Sequence, residues 1–246
     1  MTSPTLFRLR IAYAKQGRGR FLAHLEVQRA LSRMVRRSGL PYAVSQGFNP
    51  QMRLSTGPAL SVAVSGEREY CDLVLTSYVK PVDALCQLQE VEAGFLPVLD
   101  VGYVGTKEPS LNASIVAQEL CVIIENAPAL VTEQALKAGL TALQARDTLE
   151  VEHKGKTKVY DSATHVPKGI TVVTKGSTVQ MTLMLRISNQ GSLRPDALLS
   201  HLLQAAGLPS LEDGKIGEGL VRMDRTALFC EALDEEGNEG TLRLPL

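Results

Sequence analysis

Residues 7–13 change character at every step, Phe7, Leu9, Ile11 and Tyr13 alternating with Arg8, Arg10 and Ala12. A period of two belongs to a strand. The period then changes. Across residues 22–38, Ala23, Val27, Ala30, Leu31 and Met34 fall on one helical stripe, and Gly39 and Pro41 close the segment. A short strand at about 41–45 follows, then a loop, then strand material around 59–64 and at 69–77. Pro81 opens a second helix with Val82, Leu85, Leu88 and Val91 on one face, and residues 97–104 read as a closing strand. The order is β-α-β-β-α-β, the ferredoxin-like unit.

GTKEPSLN (105–112) reads as a linker, after which the order recurs: strand at 113–125, helix at 132–145, strands at 149–162 and 170–188, helix at 195–206, strand at 220–231. The last helix is the cleanest element. Pro195 starts it, Leu198, Leu199, Leu202, Leu203 and Ala206 form its stripe, and Gly207 ends it. The expected fold class is α+β, two tandem ferredoxin-like (βαββαβ) domains. A basic N-terminal domain covers 1–108, and an acidic C-terminal domain with a tail covers 109–246. No sequence repeat is visible, so the duplication rests on element order.

Charge is divided between these halves. The chain has 26 basic and 26 acidic residues; the first sixty hold ten and one of them, leaving 16 and 25 for the rest. The ten are Arg8, Arg10, Lys15, Arg18, Arg20, Arg29, Arg33, Arg36, Arg37 and Arg53, and the single acid is Glu26. A surface built only for solubility mixes signs. Arginine's planar fork suits phosphate oxygens, so a polyanionic partner, RNA first, is expected. The competing explanation is a basic domain docked on its own acidic half.

In the ferredoxin-like topology the β1–α1 loop, the start of the first helix and the β2–β3 loop meet at one end. That placement gathers Lys15, Arg18, Arg20 and His24 with Ser45, Gln46, Gly47, Phe48, Asn49 and Arg53 of the SQGFNPQMR segment. Arg29 and Arg33 extend the interface along the helix. Arg36 and Arg37 go to a flank, and Arg8 and Arg10 to an open sheet face. A helix N-terminus attracts anions. Asn49 suits a base edge or a phosphate, and Phe48 has two readings, a stacking platform for a base or an anchor into the core. In the second domain Arg194, Asp196 and Arg225 stand out. Lys154, Lys156 and Lys158 around Gly155 form a basic hairpin, with a solvated tip as the plainer reading.

Cys71, Cys86, Cys121 and Cys230 are far apart and set among apolar residues, which predicts four buried free thiols and no metal cluster. No cofactor is expected. No apolar run approaches the ~20 residues of a membrane span, and the N-terminus mixes charges into its apolar stretch, so a cytoplasmic protein is expected.

The strings RFLAHLEVQRALSRMVRRSGLPYAVSQGFNPQMRLS, GSLRPDALLSHLL and RMDRTALF resemble a bacterial family of unknown biochemistry, the radical SAM-linked proteins. The shared pattern joins a Phe-Leu-x-His-Leu helix start to a Gly-Phe-Asn-Pro loop at fixed distance. It picks out His24, Arg29, Ser45, Gly47, Phe48, Asn49 and Pro50, with Arg194, Pro195 and Asp196 in the second half. Ala23 and Glu26 depart from it, standing where the family usually has serine and aspartate. Members occur fused to or beside a cobalamin-type radical SAM enzyme, often near genes for ribonuclease G and ribosomal proteins, a context that implies RNA maturation or modification. This chain lacks the cysteine triad of such an enzyme.

The expectation is therefore an RNA-binding accessory protein that positions structured RNA, ribosomal or transfer, for a partner radical SAM enzyme. Two alternatives stand beside it: a stand-alone RNA-processing enzyme with His24 as general acid or base, and an adaptor gripping an acidic protein.

Overall fold

The computed structural model describes residues 5–153, 155–187, 193–233 and 239–246. Its contacts divide the chain into two units, Met1–Ile115 with Ala227–Leu246, and Val116–Thr226.

In the first unit, strand β1 (Phe7–Lys15) keeps its alternation, yet everything from Leu9 to Lys15 is buried, so both faces are covered. Helix α1 (His24–Ser38) buries Val27, Leu31, Met34 and Val35 beneath it, each worth about 1.5–3 kcal/mol of apolar burial before chain entropy is counted. Gly39 ends the helix at φ 76°, the left-handed conformation that a side chain resists. Strands β2 (Leu54–Thr56) and β3 (Ser65–Leu75), helix α2 (Pro81–Gln89), strand β4 (Val98–Val104) and a single turn, α3 (Leu111–Ser114), follow. β1 pairs antiparallel with β3 and with β4, and β2 lies antiparallel on the other edge of β3. The order is β4-β1-β3-β2. Leu9, Ile11, Cys71, Leu73, Ala84 and Leu88 join the α1 residues in one core.

The second unit contains β5 (Ile115–Glu125), α4 (Glu133–Gln144), β6 (Thr148–His153), β7 (Lys156–Asp161), α5 (Ser162–His165), β8 (Ile170–Lys175), β9 (Thr178–Arg186) and α6 (Pro195–Ala205). Short strands β10 (Leu211–Glu212) and β11 (Lys215–Ile216) lead into β12 (Gly219–Leu233). The end of β12, with β13 (Glu239–Arg243) paired to it, groups with the first unit. The sheet order is β12-β5-β9-β8, while β6 and β7 form a separate two-stranded ribbon. α4 and α6 approach closely because Gly139 has no side chain: a Cβ there would lie 2.6 Å from the Leu202 carbonyl.

Both units are thus α+β, with mostly antiparallel sheets and few helices. The strand material at 149–162 and 170–188 resolves into two hairpins, turned at Gly155 and Gly176 with φ of 71° and 59°. The segment expected at 59–64 is loop; the strand on the edge of β3 is Leu54–Thr56 instead. Among the described residues no helix is long and apolar enough to cross a membrane.

Candidate nucleic-acid interface

The basic turn after β1 is held by its glycines. Gly17 takes φ 53° to enter a 3-10 turn, Gly17–Phe21, and a Cβ on Gly19 would sit 2.4 Å from the Phe95 carbonyl. Arg18 is exposed; Arg20 is half-buried, with its guanidinium 4.8 Å from the centre of the Phe21 ring. The Arg20 carbonyl accepts from the Ala63 amide, which ties the turn to the 57–64 loop. Phe21, Leu25 and Val62 are exposed in this region.

His24 is the first residue of α1. Its Nε2 lies 3.3 Å from Thr56 Oγ1 and 3.3 Å from Gln28 Nε2, and Gln28 donates to Thr56 Oγ1 at 2.9 Å. Neither Gln28 nor Thr56 was marked by the sequence, although Gln28 stands one helical turn from His24. Lys15 lies inside, 2% exposed, its ammonium donating to the Ser61 carbonyl at 3.3 Å. With Tyr13, His24, Pro58 and the buried Glu69 it lines a cavity of about 10 Å³. That space admits one water at most and no nucleotide. Lys15 is therefore an interior group, separate from the surface cations.

The outward face of α1 carries Arg29, Arg33, Arg36 and Arg37, all exposed. Spaced by three and four residues, 29, 33 and 36 share one stripe, and 29 to 37 spans about 12 Å of helix.

The Phe-Asn-Pro loop lies elsewhere than expected. Val44 bridges Met52, and the Ser45 amide donates to the Gln51 carbonyl at 2.7 Å, closing a protruding loop. Its base is hydrogen-bonded beside Val74: the Ala43 amide donates to the Val74 carbonyl, and the Val74 amide to that of Arg53. Lys15 pairs with Gly66, so the basic turn and this loop are separated by eight residues of β3, about 26 Å. The expected convergence does not occur. The cause is the strand assignment: with β2 at 54–56, the connection reaching the helix start is 57–64, and the 45–53 loop falls at the end where α1 finishes. Arg36 and Arg37, expected on a flank, are at that end. Ser45 is half-buried; Gln46, Gly47, Asn49 and Arg53 are exposed, and Phe48 is fully exposed, which removes the core-anchor reading.

Arg8 and Arg10 do not face an open sheet. Arg10 donates to both Asp72 oxygens and to the Pro245 carbonyl at 3.0 Å, and Arg8 donates to the Glu108 carbonyl. Burial works against the Arg10 charge, but the hydrogen bonds and charge of Asp72 outweigh it, and its pKa is raised. Leu246 packs over Gly102 on β4.

In the second unit Arg194 caps the start of α6 and grips Asp196 through two hydrogen bonds, Nε to Oδ1 at 3.1 Å and Nη2 to Oδ2. Arg225 is 1% exposed and donates to the buried Gln118 at 3.1 Å. Lys156 and Lys158 are exposed on the β7 side of the ribbon, with Lys158 over the Tyr160 ring. Lys154 lies outside the described residues, as do Gly191 and Ser192 of the α6 motif.

Fold and surface together define an α+β protein whose N-terminal unit presents an arginine-lined helix. The model of a family described as an uncharacterized protein conserved in bacteria, DUF2344, matches residues 8–195, and the chain belongs to that family. No curated protein matches. Among solved structures, a chain of a Cbf5-Nop10-Gar1 complex is similar at 11% identity and a TM-score of 0.45, over 89% of this chain and 48% of that one. An unknown protein from Galdieria sulphuraria is similar at 9% identity and a TM-score of 0.25, over 91% of this chain and 100% of that one. At these scores neither neighbour defines the fold.

Proposed function

We propose that this chain is a cytoplasmic RNA-binding accessory protein, positioning structured RNA for modification by a partner radical SAM enzyme. We read each unit as ferredoxin-like, on the strength of the shared strand orders β4-β1-β3-β2 and β12-β5-β9-β8; β6, β7 and α5 are then an insertion. One observation carries the RNA reading. Arg18, Arg20, Arg29, Arg33, Arg36, Arg37 and Arg53 make no ion pair among the described residues, and no Asp or Glu occurs between Glu26 and Glu67. A field of one sign without internal partners calls for an anion from outside.

The test is binding of a transfer RNA and a ribosomal RNA fragment at several salt concentrations. Affinity falls with a log–log slope of about −0.7 to −0.9 per phosphate contacted. Substituting alanine for Arg29, Arg33 and Arg36 together makes that slope shallower by about 2–3. These side chains are exposed, so the fold is spared. An unchanged slope removes the helix face from the interface.

Phe21, Leu25 and Val62, exposed near Arg18 and Arg20, favour a second reading in which this end docks a protein. Co-purification of a partner that survives nuclease treatment and is lost on Leu25→Asp supports it.

A further inference from the structure

We propose that the loop at 45–53 and the groove beside it hold an unpaired nucleobase of a single-stranded RNA segment. This deepens the RNA reading above and rests on it. The groove has a volume of about 470 Å³, with Leu6, Ala43 and Val44 as its apolar part and Ser45, Gln46 and Arg53 as its polar part. It is large enough for a small planar ligand.

The loop is braced at its base rather than packed at its tip. The Gln51 amide donates to Ser45 Oγ at 3.0 Å, in addition to the Ser45–Gln51 backbone bond. Gly47, at φ 140°, permits the bend that carries Phe48 outward. The ring ends wholly in water, two residues beyond Gln46, at a relative exposure of 112%. A side chain of this kind on a braced support is a stacking surface waiting for a planar partner.

Charge selects among planar partners. Arg53 lines the groove, Arg36 and Arg37 lie at the same end of the unit, and the groove lining contains no carboxylate. The occupant is anionic with an accessible aromatic face. A duplex offers phosphates but keeps its base faces stacked inside, leaving ring and groove unused. A single strand offers both. The Gln46 amide can donate to and accept from a base edge, and the Ser45 hydroxyl keeps its proton to donate while accepting from Gln51.

The test compares a single-stranded RNA oligonucleotide with a blunt-ended, loop-free RNA duplex of equal phosphate count, by fluorescence anisotropy on the full chain. Phe48→Ala is expected to weaken single-strand binding about 5- to 150-fold and to leave duplex binding unchanged. Phe48→Tyr keeps the ring and the affinity, whereas Phe48→Leu, which keeps apolar area without a ring, behaves like alanine. A Phe48→Leu protein that binds like wild type, or equal losses on both RNAs, overturns the base site while salt-sensitive RNA binding still stands. If wild type binds neither RNA, the RNA reading falls and this site with it. If the substitutions release only a nuclease-resistant protein partner, the groove is a protein-docking site and the proposal is overturned.

Discussion

Arg10 and Asp72 face each other across β1 and β3 and are joined by two hydrogen bonds, Nε to Oδ1 at 2.7 Å and Nη2 to Oδ2 at 2.9 Å. Each residue is 3% exposed. The pair is a planar fork on a carboxylate, the strongest form of charge-assisted hydrogen bond. Removing one partner strands a charge in the interior. Asp72→Ala is expected to lower stability by about 3–5 kcal/mol in urea unfolding. Arg10→Met combined with Asp72→Leu recovers only part of that loss, because Arg8, whose Nε lies 3.8 Å from Asp72 Oδ2, then loses its own carboxylate partner. Neither change alters RNA affinity if the interface is the arginine face of α1.

Ala23 is the N-cap of α1, with φ −70° and ψ 160°, the extended geometry a cap requires. Glu26 reaches back to accept from the Ala23 amide at 2.7 Å, completing half of a capping box. The other half needs a side-chain oxygen at 23, and alanine has none. Ala23→Ser is expected to stabilise the protein by about 0.5–2 kcal/mol, seen as a higher urea midpoint with an unchanged slope. No gain would mean that the start of the helix is already fully satisfied by the turn before it.

Local periodicity was enough for β1, α1 and α6: β1 shows alternation alone, α1 adds a closing glycine to its apolar stripe, and in α6 the opening proline, the stripe and Gly207 all agree. Lys15 was legible too. It continues the series Phe7, Leu9, Ile11, Tyr13 at period two, so alternation already assigned it to the face of the core residues Leu9, Ile11 and Tyr13 rather than to the surface. Arg8 and Arg10 were not legible. Their alternation gives the face correctly but cannot say that Asp72 stands opposite or that Pro245, more than two hundred residues away, closes over it. The position of the Phe48 loop was lost for a related reason. β2 has three residues and no periodicity of its own, and only its pairing with Leu73, Asp72 and Cys71 locates it.

Cys86 is exposed, contrary to the expectation of four buried thiols, whereas Cys71, Cys121 and Cys230 are buried. It lies on α2, where its apolar neighbours Ala84 and Leu88 take the core face. Burial, with a smaller contribution from the Asp72 charge, pushes the Cys71 thiol far above its ordinary value and keeps it as an inert thiol. Alkylation of native protein followed by mass spectrometry is expected to modify Cys86 first, and the other three only after denaturant is added. Early labelling of Cys71 would show that the β1–β3 core opens locally.

Asp161 ends β7 and caps α5, its carboxylate accepting from the Thr164 amide at 2.8 Å. The Thr164 hydroxyl and then its amide are the main causes that hold the carboxyl pKa below the ordinary 3.8, with the charge of the neighbouring His165 adding a little. A carboxyl whose pKa is lower folded than unfolded binds fewer protons in the folded state. Its contribution is therefore complete above about pH 4 and is lost as pH falls through the folded value. Asp161→Asn keeps an oxygen for the Thr164 amide but cannot titrate. Below pH 4 the melting temperature of wild type should consequently drop more steeply than that of Asp161→Asn, and the two curves should run parallel at neutral pH. Parallel curves throughout the acid range would place the acid sensitivity of the protein in other carboxylates.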